Sequence, residues 1–397
     1  MEQRLSKRVR GITPSATLTI DAKTKALIQS GKAVVNMSVG EPDFDTPVKA
    51  AFAGVQAIAK GNTRYTPAAG TVVLRKAIAE KLQVENGLQY TPEQIVVSSG
   101  AKHSLFNVFF AICEEGDEVI LPAPYWVSYP EQIRLAGATP VVVTADESSG
   151  FKMTPAQLQA AITPKTKAVL LNSPSNPTGA VYSEDELREL GKVLLDHDVF
   201  IVTDEIYERL VYDCVKHVSL PAIYPELMNR TLVVNGFSKA FAMTGWRLGY
   251  VAAPADIAKA LSSLQSHATG SPSTMSQAAG VVAFGAFEPD MVVEFGRRRN
   301  LLVSGLNSLA GVHCVAPDGA FYAFPNISGL FGSTYNGKPV NDANQFCELL
   351  LEEELVSAVP GDSFGAPNNM RLSYAVSYEE IETALERMQR FVSRLER

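Results

Sequence analysis

Short apolar runs alternate with helix-like stretches through the middle of the sequence. The runs are IVVSSG from Ile95, EVILPAPY from Glu118, TPVVVT from Thr139, KAVLLNSPSNP from Lys167, VFIVTDE from Val199 and TLVVNGFSK from Thr231. Their short length and their Val, Ile and Leu content between turn residues predict buried strands. Of the stretches between them, SEDELRELGKVLLDHD has a helical pattern that opens with a candidate capping box, Ser183 and Glu186.

This βαβ series predicts an α/β fold, with a mostly parallel sheet that carries helices on both faces. Ligands of such sheets bind at the carboxyl ends of the strands. Small and polar residues follow the predicted strands there, in SSG, PAPY, SPSNP, DE and GFSK. We therefore expect the functional site at this edge of the sheet.

The two ends of the chain have a different pattern. Residues 1–45 form an arm with the turn-rich sequence VGEPDFDTP. From about residue 295, helical patterns around RRRN and NQFCELLLEE precede a final strand, MRLSYAV. We predict a large domain over residues 46–295, and a smaller α/β domain that combines residues 1–45 with residues 296–397.

Length and charge restrict the class of protein. A chain of 397 residues exceeds the size that one hydrophobic core usually supports, so more than one domain is expected. The net charge of −7 disfavours a general nucleic-acid surface, and no apolar run is long enough to span a bilayer. No apolar segment follows the charged start MEQRLSKRVRG, so we expect no signal peptide and a cytoplasmic location.

The cysteines and histidines are not spaced as metal ligands, so no metal site is expected. The cysteines are Cys113, Cys214, Cys314 and Cys347, and the histidines are His103, His197, His217, His267 and His313. Because the cysteines form no CxxC pair, buried free thiols in a reducing compartment are the expectation.

Lys239 follows the apolar sequence TLVVNGFS, so its amine should stand near a strand's carboxyl end. A lysine after a strand is usually a solvated surface residue. A lysine removed from water, however, has a lowered pKa and becomes an amine nucleophile. Arg247 lies farther along in apolar MTGWRLGY, where an unpaired guanidinium would be costly. It forms either a structural ion pair or a phosphate site.

Asp204 ends the apolar sequence VFIVTDE. A carboxylate in this position either caps the next helix or pairs with a pyridinium nitrogen, keeping such a ring protonated and electron-accepting. Tyr207 would lie on the same side of a following helical turn, with its phenol near an oxygen of that ring.

Four further positions at this edge are candidates for ligand contacts. In SSGAKHSL, the helix start after Gly100 offers free amides to an anion, but the sequence lacks the GxGxxG of a nicotinamide-binding dehydrogenase and the GK[ST] of a P-loop. Trp126 in LPAPYWVSYP belongs either to the core or to a stacking site for a flat ring. Asn176 lies in a comparable loop, and Arg371 in NNMRLSYA is suited to a carboxylate.

Taken together, these segments closely resemble the class I aminotransferases of pyridoxal-phosphate (PLP) fold type I, particularly a bacterial aspartate aminotransferase subgroup with thermophilic members. The matching motifs are GEPDFDTP, RYTPAAG, PYWVSYP, NSPSNPTGAVY, DEIYE and GFSKAFAMTGWRLGY, within a resemblance that runs from PSATLTIDAK to RLSYAVS. The resemblance implies a seven-stranded sheet, a PLP cofactor and a homodimer with shared active sites.

The resemblance also implies roles for individual residues. Those toward the cofactor are Lys239 as Schiff-base lysine and acid/base, Asp204 at the pyridine nitrogen, Tyr207 and Asn176 at the 3′-oxygen, Trp126 stacked on the ring, Arg247 with the amides of Gly100 and Ala101 at the phosphate, Lys102 beside it, and Tyr65 from the neighbouring subunit. Those toward the substrate are Arg371 and the Gly40 backbone at the α-carboxylate, with Trp126 and Asn176 alongside.

Two positions depart from the wider family. A phosphate-contacting serine often stands where this sequence has Gly236, and the adjacent Ser238 is not assigned that role. Many relatives bind the distal substrate carboxylate with an arginine from the partner subunit, but the matching stretch QSHATGSPSTM has none. In the resembling subgroup that contact falls to Lys102, with Ser15 and Thr17 from the N-terminal arm.

The expected activity is reversible transfer of an amino group between aspartate or glutamate and 2-oxo acids, by a ping-pong mechanism. One alternative is an enzyme that accepts both aspartate and prephenate, and another is a PLP lyase on the same fold. A PLP-binding transcription regulator is disfavoured because no DNA-binding module precedes the matching region.

Overall fold

The structure is a computed structural model that describes residues 4–13 and 16–396, without the side chains of residues 7 and 16–18. Its α-helices are α1 Lys7–Arg10, α2 Ala16–Gln29, α3 Val48–Ala59, α4 Val72–Asn86, α5 Ala101–Ile112, α6 Ser128–Leu135, α7 Pro155–Ala161, α8 Glu184–Leu195, α9 Leu220–Ile223, α10 Ala255–Ala268, α11 Thr274–Ala283, α12 Asp290–Asn307, α13 Ala343–Glu354 and α14 Tyr378–Ser393. Its strands are β1 Val35–Asn36, β2 Ile95–Ser98, β3 Glu118–Ala123, β4 Thr139–Thr144, β5 Thr166–Asn172, β6 Phe200–Asp204, β7 Thr231–Gly236, β8 Gly249–Ala252, β9 Tyr322–Ala323, β10 Ser333–Tyr335, β11 Lys338–Val340, β12 Val356–Ser357, β13 Val359–Pro360 and β14 Met370–Ser373.

A seven-stranded sheet with the order β2-β8-β7-β6-β5-β3-β4 forms the centre of the fold. The neighbours from β7 to β4 are parallel, whereas β8 is antiparallel to both β2 and β7. The six apolar runs are β2 to β7, so the predicted mostly parallel sheet is confirmed. The sequence interpretation missed β8, a four-residue strand that inserts between β2 and β7.

One strand differs from its prediction. β4 lies at the edge of the sheet, and Val142 is 46% exposed there. An edge strand has a neighbour on one side alone, so solvent reaches part of its surface. The expectation that every run is buried was therefore wrong for β4.

Helices cover both faces of the sheet. Successive strand residues point in opposite directions, so an entirely apolar strand presents apolar side chains on both faces, and each face must be covered. In β3, Val119 and Leu121 join the core under α5, α6 and α10, whereas Ile120 joins the core under α7 and α8. The predicted capping box begins α8: the Glu186 amide donates to the Ser183 hydroxyl, and the Ser183 amide donates to the Glu186 carboxylate. These contacts confirm the predicted layers.

Strands from the two ends of the chain pair with each other. β1 pairs in parallel with β12, and β13, β14 and β9 form a separate antiparallel sheet. A core of residues from β1, α12, α13 and α14 joins them. A small domain that combines both ends of the chain requires such a pairing. The boundaries at residues 45 and 295 stay a prediction, and helix α12 runs across the second of them.

The four cysteines are free thiols, but they are not all buried. Cys314 and Cys347 lie in the core and Cys113 is half-buried, whereas Cys214 is exposed because it lies in a surface turn. The expectation of buried thiols was wrong for Cys214. Across the described residues, no helix is both long and apolar enough to cross a membrane.

Candidate active site

A cavity of about 410 Å³ opens at the carboxyl ends of the central strands. The sequence-predicted site residues that line it are Gly40, Ala101, Lys102, Trp126, Asn176, Asp204, Tyr207, Lys239, Arg247 and Arg371. Gly100 lies at its edge against Arg247. Ser15 and the Thr17 side chain lie outside the described residues, and Tyr65 lies away from the cavity.

Lys239 enters the cavity from the turn after β7. Its side chain is half-buried, and its amine donates a hydrogen bond to the Gly40 carbonyl oxygen. Burial lowers the pKa of Lys239 to about 7, and the positive charge of Arg371 acts in the same direction. A large fraction of this amine is therefore neutral near pH 7, which is the state that attacks a carbonyl carbon.

Asp204 stands at the end of β6, where it is 3% exposed. Tyr129 donates its hydroxyl proton to one carboxylate oxygen at 2.8 Å, and the Ile206 amide donates to the other at 3.2 Å. Burial raises the pKa of Asp204 to about 6, and both hydrogen bonds oppose that rise. The carboxylate is ionised at neutral pH, so it is a fixed negative charge on the cavity wall. The turn after β6 is not a helix, so Asp204 does not cap one.

Arg371 is the buried cation of the cavity, at 2% exposure. It donates to the Asn176 side-chain oxygen at 3.1 Å and to the Ser38 carbonyl at 2.9 Å, and its Nε has no partner. Tyr322 lies beneath it, with its ring centroid 4.5 Å from the guanidinium. Within the described part of the chain Arg371 has no carboxylate partner. A buried, unpaired guanidinium is costly, so this corner suits a carboxylate ligand.

The corner around Gly100 suits a phosphate. Gly100 has a φ of 92°, and a Cβ there would lie 2.6 Å from an Arg247 nitrogen. Gly249 is equally restricted, because its Cβ would lie 2.3 Å from the Ala101 amide nitrogen. α5 begins at Ala101 without a side-chain cap, so its first amides remain available to an anion beside Arg247. Backbone amides and a guanidinium therefore converge on one point.

The structure corrects one argument about Arg247. Its side chain is exposed to the cavity, not enclosed by the apolar stretch that contains it. It donates to the Thr244 carbonyl at 2.9 Å and, among the described residues, forms no ion pair. The structural ion pair that the sequence left open is therefore absent from this part of the chain.

Lys102, in the first turn of α5, and Trp126 lie together on the wall of the cavity. The Lys102 amine lies over the Trp126 ring, 4.6 Å from its centroid. Burial lowers the pKa of Lys102, and Arg247 nearby lowers it further. Residues 265–275, where the sequence lacks an arginine, do not line the cavity.

Tyr207 makes a contact that the sequence interpretation did not include. Its hydroxyl lies 2.9 Å from that of Tyr322, and both side chains are buried. Tyr129 and Tyr322 were missed because an aromatic residue near a strand is usually core. Asp21 and Lys25 of α2 also line the cavity, and their 2.7 Å ion pair follows ordinary i,i+4 spacing.

Tyr65 is 98% exposed. Other exposed apolar side chains on α3 and α4 lie in the same part of the chain: Val48, Phe52, Val55, Ile58, Val72 and Val73. Exposed apolar surface of this kind is typical of a protein interface.

Comparisons with known proteins agree with this geometry. Residues 32–388 match the family model for aminotransferase class I and II. An aspartate aminotransferase of Geobacillus stearothermophilus is 48% identical over 98% of this chain and 99% of that protein. A bifunctional aspartate aminotransferase and glutamate/aspartate-prephenate aminotransferase of Petunia hybrida is 44% identical over 97% of this chain and 82% of that protein. The crystal structure of the Rhizobium meliloti aspartate aminotransferase superposes with a TM-score of 0.95 at 46% identity, covering 99% of both chains.

Proposed function

The chain belongs to the class I and II aminotransferase family, and from that premise we propose that it is a PLP-dependent aspartate aminotransferase. It moves an amino group reversibly between aspartate or glutamate and 2-oxo acids such as 2-oxoglutarate and oxaloacetate. The observation that carries the proposal is Lys239, an amine with a pKa of about 7 that faces a cavity holding both a buried carboxylate and a buried guanidinium.

The cavity residues fit PLP group by group. The amides at the start of α5 and Arg247 would bind the phosphate, and Tyr65 of a second subunit would complete that site. Trp126 would hold the ring by stacking, and Asp204 would pair with the ring nitrogen. Tyr207 and Asn176, which now contact Tyr322 and Arg371, would hydrogen-bond the 3′-oxygen. When bound, PLP supplies an electron sink for the bond that breaks at the substrate α-carbon.

The residues of this chain supply binding and proton transfer. Arg371 binds the substrate α-carboxylate, with the Gly40 backbone alongside. Its Nε has no partner and is available to donate, and the carboxylate takes the place of the contacts with Asn176 and Ser38. The neutral Lys239 amine accepts the proton from the substrate α-carbon. The resulting ammonium donates a proton back later in the amino-group transfer. Asp204, ionised at neutral pH, would favour a proton on the ring nitrogen.

Acidic substrates are favoured because Lys102 lines the same cavity as Arg371 and brings a second positive charge to it. An ammonium there attracts the distal carboxylate, with Ser15 and Thr17 supplying hydrogen bonds. A second activity, with prephenate as acceptor, is supported by the 44% identical bifunctional relative. A PLP lyase is the weaker alternative.

The active form is a homodimer with shared active sites. Its support is the exposure of Tyr65 and of the apolar side chains on α3 and α4, which do not line this chain's own cavity. A cytoplasmic location stays a prediction that agrees with four free thiols.

Half-reactions test the proposed function. The PLP-loaded protein is mixed with aspartate, glutamate or alanine without any acceptor, and the 2-oxo acid formed is measured per site. Aspartate and glutamate should give one equivalent, and added 2-oxoglutarate, oxaloacetate or prephenate should then restore the absorption of the loaded protein. Continuous release of ammonia or pyruvate without an acceptor would identify a lyase instead. Borohydride reduction and peptide mass spectrometry should place the cofactor on Lys239, and a label on another lysine would refute the site.

A further inference from the structure

The segment after β6 has two faces. Asp204, Ile206 and Tyr207 face the cavity, whereas Glu205 and Glu208 point away from it. Those two carboxylates enter a buried set of polar side chains that the proposed reaction does not use. We call this set the buried ionic cluster: Lys81, Asn86, Glu205, Glu208, His217 and Ser219.

One half of the cluster ties Glu208 to α4. Lys81, with a side chain 2% exposed, forms an ion pair with Glu208 and donates to the Asn86 side-chain oxygen at 2.7 Å. The Asn86 amide donates to the second Glu208 oxygen at 2.8 Å. Burial alone would raise the pKa of Glu208, but Lys81 and His217 lower it to about 2. Both carboxylate oxygens are therefore held by partners on or next to α4.

The other half ties Glu205 to the segment before α9. The Ser219 hydroxyl donates to a Glu205 oxygen at 2.6 Å, and the His217 Nε2 lies 3.0 Å from the same oxygen. Burial alone would lower the pKa of His217, but Glu205 raises it above its ordinary value. The Asn86 amide also reaches Ser219 at 3.3 Å, so the two halves are continuous.

The cluster already holds a cation of its own. Ligand atoms of Glu205, Glu208 and His217 lie within 4.8 Å of one another, a spacing that admits a metal ion. The Lys81 ammonium already pairs with Glu208, however, and the His217 Nε2 already contacts a Glu205 oxygen at 3.0 Å. A divalent ion at this place would be repelled by Lys81.

A buried ion pair adds little to stability compared with apolar packing of the same volume, but its hydrogen bonds are directional. We propose that the buried ionic cluster positions Asp204 and Tyr207: Glu205 and Glu208 fix the backbone of residues 204–208 against α4 and residues 217–219. The cluster members are positioning residues, because they act through Asp204 and Tyr207. The proposal rests on the proposed function, since it assigns the two fixed side chains to the cofactor.

Two variants distinguish an effect of the cluster on stability from an effect on the position of Asp204 and Tyr207. Lys81→Met leaves Glu208 buried without its cation, so the unfolding temperature and PLP affinity should both fall. Lys81→Met with Glu208→Leu removes both charges and should regain most of the unfolding temperature. The double variant should still bind PLP about tenfold more weakly, or about 1.4 kcal/mol, the size of one hydrogen bond. A matched control is the exposed pair on α8, Lys192→Met with Glu189→Leu, which should change neither quantity.

Hydrogen exchange of residues 204–209 in the cofactor-free protein gives a readout independent of catalysis. It should accelerate in the double variant and remain at the parental rate in the α8 control. Ser219→Ala, which removes one hydrogen bond and little volume, should show the same acceleration even if the double variant does not fold. The proposal would be overturned if the double variant regained PLP affinity and slow exchange along with its unfolding temperature. Unchanged exchange in Ser219→Ala would overturn it as well. Failure of the parent to bind PLP would instead refute the proposed function.

Discussion

The pH at which Lys239 becomes reactive is a direct consequence of the cavity's electrostatics. An ordinary lysine, with a pKa of about 10.4, has about one neutral amine in 2,500 at pH 7. With a pKa of about 7, Lys239 is half neutral at the same pH. The neutral fraction is therefore about a thousandfold larger, and the sign follows from burial and from neighbouring positive charge.

Pulse labelling measures this difference. The cofactor-free protein is exposed briefly to a small acylating reagent over a pH series from about 5 to about 10, which ends just below the ordinary lysine pKa of about 10.4. The label on each lysine is quantified by peptide mass spectrometry. Labelling of Lys239 should be half-maximal near pH 7. Lys192 is an internal control, because its hydrogen bond with Glu189 raises its pKa, so its labelling should still increase at the highest pH.

Removal of a neighbouring positive charge gives a second test of the Lys239 pKa. Arg371 is the main charged group that lowers the pKa of Lys239 after burial itself. Arg371→Met should therefore shift the Lys239 midpoint to higher pH while Lys192 stays unchanged. A parental midpoint above about pH 9, in protein shown to be folded, would refute the reasoning, since Lys239 would then titrate close to an ordinary lysine.

Four further outcomes test the other site residues. Asp204→Ala should lose about a hundredfold or more in kcat while retaining PLP, because one preorganised charge is lost; a rate within a few-fold of the parent would refute the role. Tyr129→Phe removes a hydrogen bond that lowers the pKa of Asp204, so the acid limb of kcat/KM should move upward by about one pH unit; an unmoved limb would show that Asp204 does not control it. Lys102→Ala should weaken kcat/KM for aspartate and glutamate by about 2 kcal/mol and leave alanine nearly unchanged; equal losses across substrates, with weaker PLP binding, would assign Lys102 to the phosphate. Mixing inactive Tyr65→Ala and Lys239→Ala subunits should restore activity through one intact site per heterodimer, and no recovery despite measured subunit exchange would count against shared sites.

The central sheet was predictable because its strands carry a strong local signal. β2 to β7 are apolar runs between turn residues, and the same turns placed Lys239 and Asp204 at the carboxyl edge. β8 escaped because the four residues GYVA follow the Arg247 segment without a clear boundary. Its antiparallel pairing depends on contacts distant in sequence, which no local pattern contains.

Several site contacts could not be predicted for the same reason. The bond from Tyr129 to Asp204 joins residues 75 positions apart, and the pairing of Lys81 with Glu208 joins residues 127 apart. The apolar neighbours of Arg247 suggested burial, but the exposure of a side chain depends on which way the turn projects it. Arg247 has a φ of 51°, an uncommon conformation that local sequence does not specify.

The glycines near the start of α5 divide the site into a backbone part and a side-chain part. Gly100, Gly236 and Gly249 bring main chain against main chain or against Arg247, with no space for a β-carbon. The backbone part of this anion site is thus built from peptide groups, which any sequence can supply. Side chains such as Lys102, which lines the cavity from the first turn of α5, can be exchanged without altering those peptide groups. Substitution of single side chains around the cavity can therefore change which substrate it accepts, while the backbone of the corner stays as it is.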